Sequence, residues 1–161
     1  MRQLIFATVA SFGMVFCTPG ADAIDVVESQ IYSVSADKLW AEIRDFCSLK
    51  DWHPAIADCS KTTNNGFTHR TLVTSDGAKI KEVRYFHSDK TMTITYSILE
   101  SPLPVIDYLS TMTVTPAGNG KTEFVWQGRF AAPQGKEKDA TDIITSIYRA
   151  GLDNLVKKLA K

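Results

Sequence analysis

Apolar and polar residues alternate from Ile24 to Tyr32, the period of a half-buried strand. Ser35 follows as a helix N-cap, and Leu39, Trp40, Ile43 and Phe46 recur at helical spacing through Asp45. Pro54 prevents a regular helix from continuing across Asp51-Trp52-His53, so a structured connector is expected there. Beyond Ile56, turn signals at Asn64-Asn65-Gly66, Asp76-Gly77, Ser88-Asp89-Lys90, Ser101-Pro102-Leu103-Pro104 and Ala117-Gly118-Asn119-Gly120 cut the chain into strand-length pieces. That spacing predicts an antiparallel meander.

Within the meander, Met92, Ile94, Tyr96 and Ile98 fall on one face of a strand, opposite Thr91, Thr93, Thr95 and Ser97. Phe124, Trp126 and Phe130 share a face of a later strand, with Gly128 as a point of close approach or a kink. After Pro133-Gln134-Gly135 the period changes. Ile143, Ile147, Gly151 and Leu155 recur every four residues, flanked by Ile144, Tyr148, Leu152 and Leu159. This predicts a long amphipathic helix, its carboxyl end suited to the dipole by Lys157, Lys158 and Lys161. One strand, two short helices, about six more strands and a long final helix make an α+β chain. Its favoured packing is a curved antiparallel sheet of about seven strands around the last helix, with an apolar cavity between them.

The amino terminus reads differently. Arg2, an apolar run from Leu4 to Cys17, Thr18-Pro19-Gly20 and the small-residue triplet Ala21-Asp22-Ala23 follow the order of a cleavable export signal. The run is shorter than the ~20 residues of a membrane span and ends in Pro and Gly, so no stable membrane anchor is expected. Residues 1–23 are read as the leader and 24–161 as one ligand-binding domain, periplasmic or secreted after cleavage near Ala23.

Charge narrows the partners. Lys plus Arg and Asp plus Glu both number 18, and the leader removes one of each, so nothing favours a nucleic acid. Cleavage leaves Cys47 and Cys59 in an oxidising compartment, where a disulfide is the expected fate. Metal binding and thiol catalysis are the rival readings, without a Cys-x-x-Cys pair to support them. The three histidines lack zinc-ligand spacing, so no metal and no cofactor are expected.

Three segments carry a family resemblance: Asp51-Trp52-His53-Pro54; Tyr96-Ser97-Ile98-Leu99-Glu100-Ser101-Pro102-Leu103-Pro104-Val105 with Tyr108; and Ile147-Tyr148-Arg149-Ala150-Gly151-Leu152 with Asn154-Leu155. With them residues 24–161 resemble the START-like, or Bet v 1-like, helix-grip superfamily (SRPBCC), in its polyketide cyclase/dehydrase and lipid-transport branch. The resemblance implies a cavity that binds a sterol, lipid, hormone or aromatic polyketide, with cyclisation or dehydration in some members. Glu82, Tyr96, Ile98, Tyr108 and Ser110 look like the pocket pattern of plant abscisic-acid receptors. That likeness puts Asp76-Gly77 at a gate position and Ser101 to Val105 at a latch. A narrower likeness is to exported accessory proteins encoded beside bacterial methanol dehydrogenase.

Pattern and resemblance together put the pocket at Trp52, Ile80, Glu82, Tyr96, Ile98, Leu103, Tyr108, Ser110, Met112, Trp126, Ile143, Ile147 and Gly151. Glu82 is expected to point inward, paired with Arg84 or lying in a rim salt bridge. The missing side chain of Gly151 makes room for ligand or for Trp52. Three functions follow. The first is an exported carrier of a small hydrophobic or aromatic ligand. The second is a cyclase or dehydratase, with Glu82, His53 and Tyr108 as acid, base and hydroxyl donor. The third is an accessory protein of a periplasmic redox enzyme such as methanol dehydrogenase, contacted through exposed Trp52-His53-Pro54 and Pro102-Leu103-Pro104 loops.

Overall fold

A computed structural model describes residues 22–160. Apart from its last two residues, the leader expected at 1–23 lies outside the described residues. Strand β1 (Ile24–Tyr32) is followed by helix α1 (Ala36–Ile43) and the single turn α2 (Leu49–Trp52). Strands β2 (Ile56–Asn64), β3 (Phe67–Thr74), β4 (Lys79–Ser88), β5 (Thr93–Glu100), β6 (Ile106–Gly118) and β7 (Lys121–Ala131) then lead to α3 (Glu137–Leu159). They form a 7-stranded antiparallel sheet in the order β1-β7-β6-β5-β4-β3-β2. The meander runs in sequence, and β1 adds to its far end beside β7. The sheet curves around α3, which is the helix-grip α+β arrangement expected.

Local chemistry sets the element ends. The Ser35 hydroxyl accepts the Lys38 N–H at 3.3 Å and caps α1, whose Leu39, Trp40 and Ile43 are buried. The helix stops at Ile43 instead of running through Asp45. The Asp45 carboxylate accepts the Cys47 N–H at 2.7 Å, which draws the backbone out of the helix. Strand β5 begins one residue after Met92, which takes a left-handed φ of 46° in the preceding turn. Ile94 and Tyr96 then point to the core, while Thr95 meets Thr111 at 3.0 Å on the outer face.

The face that α3 buries is rotated from the expected one. Ala140, Ile144, Tyr148, Gly151, Leu152 and Leu155 are buried, Ile147 is half-buried, and Ile143 is 38% exposed. With 3.6 residues per turn, a strict four-residue spacing drifts by about 40° at each step. Ile143 and Leu155 therefore cannot share one buried stripe.

Tyr32 Oη donates to the Leu152 carbonyl at 2.9 Å, and Thr122 Oγ1 donates to the Val34 carbonyl at 2.7 Å, tying β1 and its exit to α3 and β7. Among the described residues no helix is long and apolar enough to cross a membrane. Cys47 and Cys59, 5.5 Å apart at Cα, are joined in a disulfide that holds the α1–α2 connection against the edge strand β2. The bridge limits the unfolded chain's freedom. Replacing both cysteines by serine should lower stability by about 3 kcal/mol in urea denaturation. An unchanged midpoint would show that the native fold gains nothing from the bridge.

Candidate functional site

One wall of the site begins where α2 ends. His53 Nε2 donates to the Ile147 carbonyl on α3 at 2.9 Å, its Nδ1 accepts the Ala55 N–H at 3.2 Å, and Asn154 Nδ2 donates to the Trp52 carbonyl at 2.9 Å. A β-carbon at Gly151 would lie 2.7 Å from His53 Cδ2 and 3.0 Å from Trp52 Cζ3. Only glycine lets this connector seat on the helix. Trp52 packs edge-on against Phe124 and Trp126. Trp52 and His53 are thus 1% and 3% exposed, which corrects the expectation of an exposed Trp52-His53-Pro54 loop.

Between this connector, the concave face of the sheet and α3 lies a cavity of about 180 Å³. Leu49, Ile56, Leu72, Ile80, Ile98, Leu103, Ile144 and Ile147 supply most of its apolar lining. The turn after β3 (Thr74, Asp76, Ala78) and the loop after β5 (Pro102, Leu103) also line it, at the positions the receptor likeness assigned to gate and latch. Thr74 Oγ1 donates to the Asp76 carboxylate and the Thr74 N–H to the Ala78 carbonyl at 2.9 Å, holding that turn closed on itself.

A polar chain crosses one end. Tyr108 Oη bonds Tyr148 Oη, which lies 3.1 Å from Ser110 Oγ. Ser110 donates to the Gln127 carbonyl at 2.8 Å, and Trp126 Nε1 lies 3.0 Å from Ser110 Oγ and 3.1 Å from Tyr96 Oη. Two backbone features aim it. Asp107 takes a φ of 52° at the irregular start of β6, just before Tyr108 turns inward. Gly128 leaves the space that Tyr148 fills, since a β-carbon there would meet its hydroxyl at 2.3 Å. Burial, reinforced at Tyr96 by the Glu82 charge and at Tyr108 and Tyr148 by the neighbouring tyrosines, pushes all three above the usual phenol range against the opposing bonds with Ser110. All three remain neutral hydroxyls at physiological pH.

Glu82 lines the cavity and pairs with Arg70, not with Arg84. Residues 70 and 82 face each other across β3 and β4, so their side chains start closer than those of Glu82 and its same-strand neighbour. Arg84 instead reaches the Thr68 hydroxyl at 3.1 Å. Arg70 gives Nε to Glu82 and Nη1 to the Phe46 carbonyl, and its guanidinium carbon sits 4.0 Å over the Phe46 ring and 4.9 Å over Tyr96. Burial pushes the Glu82 carboxyl up, against the pull of Arg70. Burial likewise holds His53 below its ordinary value, opposed by its bond to Ile147 and aided by the Arg70 charge.

Of the residues assigned to the pocket, Ile80, Glu82, Tyr96, Ile98, Leu103, Tyr108, Trp126 and Ile147 line the cavity, and so does His53, the candidate base. Trp52, Met112 and Gly151 pack behind it as core, Ser110 is enclosed in the polar chain, and Ile143 faces outward. Ser110 and Met112 share the buried face of β6 with Tyr108 but sit beyond the cavity's edge. Arg70 was not foreseen. Its signal lay in the hairpin register, because a three-residue loop at Ser75-Asp76-Gly77 sets Leu72 opposite Ile80 and Arg70 opposite Glu82. Among the described residues no three His, Cys, Asp or Glu side chains gather as metal ligands.

Fold and site define a helix-grip protein with a largely apolar cavity between its sheet and α3. The chain belongs to the polyketide cyclase/dehydrase and lipid transport family, whose profile matches residues 23–160. It is similar to the protein XoxI from Bacillus cereus, at 30% identity over 83% of this chain and 94% of that one, with a TM-score of 0.78. Two enzymes share the fold: the Zhui aromatase/cyclase of Streptomyces sp. R1128 (15% identity, 85% and 93% covered, TM-score 0.69) and norcoclaurine synthase of Thalictrum flavum (17%, 93% and 96%, TM-score 0.69). A comparison with curated proteins gave no match.

Two outcomes test this electrostatic picture. Arg70→Met or Glu82→Gln alone strands one buried partner and should cost about 3–5 kcal/mol, whereas Arg70→Met with Glu82→Met should cost clearly less than the summed singles. Additive losses in urea melts would deny the coupling. For His53 the depressed value means that the unfolded chain binds the proton more readily. The stability His53 contributes is therefore present above pH 6.5 and lost as pH falls through its lower folded value. His53→Gln should flatten the Tm-against-pH curve from 6.5 down to the onset of carboxylate titration, and an unaltered curve would assign the loss elsewhere.

Proposed function

We propose that the chain is an exported binding or carrier protein that encloses a small apolar or aromatic ligand between its sheet and α3, without chemistry of its own. The observation that carries this reading is an apolar cavity whose few polar groups are mostly bonded to the protein itself. Glu82 is held by Arg70, both nitrogens of His53 are bonded, and the tyrosine hydroxyls are pushed further from neutral pH. A cyclase or dehydratase built on Glu82, His53 and Tyr108 would need a group free to reach substrate and exchange its proton near working pH. This geometry gives it less support. The export part of the reading rests on the leader at 1–23 and on the Cys47–Cys59 bridge, a bond that persists in oxidising compartments.

A second reading, an accessory protein of a periplasmic redox enzyme such as methanol dehydrogenase, has one observation in its favour. Pro102, Pro104 and Ile143, with Lys136, Asp139 and Asp142, line a shallow groove beside the cavity mouth, and such a mix of apolar and charged surface suits a protein partner. Native mass spectrometry of protein isolated from its own host's exported fraction separates the two. The carrier reading expects a mass excess of one small molecule, removed by organic extraction. A bare chain in every preparation would overturn it, and a redox enzyme retained by that bare chain would establish the second.

A further inference from the structure

The polar chain at the end of the cavity has a direction. Ser110 has one hydroxyl proton and gives it to the Gln127 carbonyl, which can only accept. In the contact between Ser110 and Tyr148 the tyrosine is therefore the donor. That spends the Tyr148 proton, so Tyr108 donates in the bond between the two tyrosines. The Trp126 N–H, which can only donate, is shared between Ser110 Oγ and Tyr96 Oη.

What remains unspent at the cavity wall is lopsided. Tyr96 keeps its proton. Tyr108 and Tyr148 keep lone pairs, and Glu82, ion-paired to Arg70, adds a further acceptor oxygen and negative potential. Both nitrogens of His53 are engaged. Arg70, the nearest cation, gives Nε to Glu82 and Nη1 to the Phe46 carbonyl; its buried Nη2 has no partner, but the residue does not line the cavity. Among the groups that line the cavity acceptors therefore outnumber donors, and no cation lines it to neutralise an anion.

Size adds a second limit. An apolar protein cavity of ~150 Å³ takes up benzene, so about 180 Å³ suits one substituted ring. Resting on the carrier reading, we infer that the ligand is a neutral single-ring molecule whose hydroxyl accepts from Tyr96 and donates to Tyr108 or Glu82. A phenol or ring alcohol meets that description. A ketone or aldehyde uses only the Tyr96 proton, an ether leaves the acceptors unanswered, and a carboxylate would be buried unpaired beside Glu82.

Calorimetric titration of the purified chain with p-cresol, p-tolualdehyde, 4-methylanisole, toluene and p-toluate tests this. The probes share one ring and differ in the polar group. The expected order places p-cresol at least about fivefold tighter than p-tolualdehyde, the size of one net hydrogen bond, with toluene and 4-methylanisole weaker and p-toluate without measurable binding. Tyr108→Phe, which keeps the ring, should reduce the p-cresol advantage and leave toluene unchanged. If the neutral probes bind equally, or the aldehyde binds best, the hydroxyl assignment falls while the carrier reading stands. If no neutral probe binds, both fall. Tight binding of p-toluate would also overturn the inference, because it requires a free cation in the cavity.

Discussion

The docking of the α2 connector onto α3 is the contact on which the rest of the molecule depends. A helix inside a curved sheet touches it along only part of its length, and something must close the remaining gap. Here His53 and Asn154 exchange hydrogen bonds between connector and helix, and Gly151 removes the side chain that would keep them apart. The seated connector becomes a cavity wall. Because the disulfide fixes the chain just before it to β2, that wall is held from both ends.

The cavity's chemistry follows from how its polar groups are satisfied. Taking Arg70 and Glu82 out of water is costly unless each finds a partner, and cross-strand pairing supplies one. The Phe46 carbonyl and two aromatic faces enclose the arginine, whose buried Nη2 is left without a partner. The tyrosine, serine and tryptophan groups satisfy one another in a chain that ends on a strand carbonyl. Such an arrangement is rigid, and rigidity suits recognition of a small ligand more than proton traffic.

How far the sequence could be read depended on the kind of signal. Alternation along β5 identified Ile94 and Tyr96 as inward, since each strand residue reports its face by parity alone. Met112, and Ser110 from the receptor likeness, share the inward face of β6 with Tyr108, but a face says nothing about where along it the cavity stops. On α3 a four-residue rhythm pointed to Ile143, and only the true helical pitch turns that residue outward. Arg70 stayed invisible within Thr68-His69-Arg70-Thr71-Leu72, since its role exists only when the hairpin register brings Glu82 opposite.

By itself, the sequence determined the order of elements, the helix-grip class and the inward identity of Tyr96 and Trp126. These are local properties, written in periodicity and turn chemistry. The tertiary structure decided which cation pairs with Glu82, which nitrogen of His53 carries the proton, the direction of the tyrosine chain and the size of the cavity. Those depend on distances between residues far apart in the chain, and distance is set by packing, not by pattern.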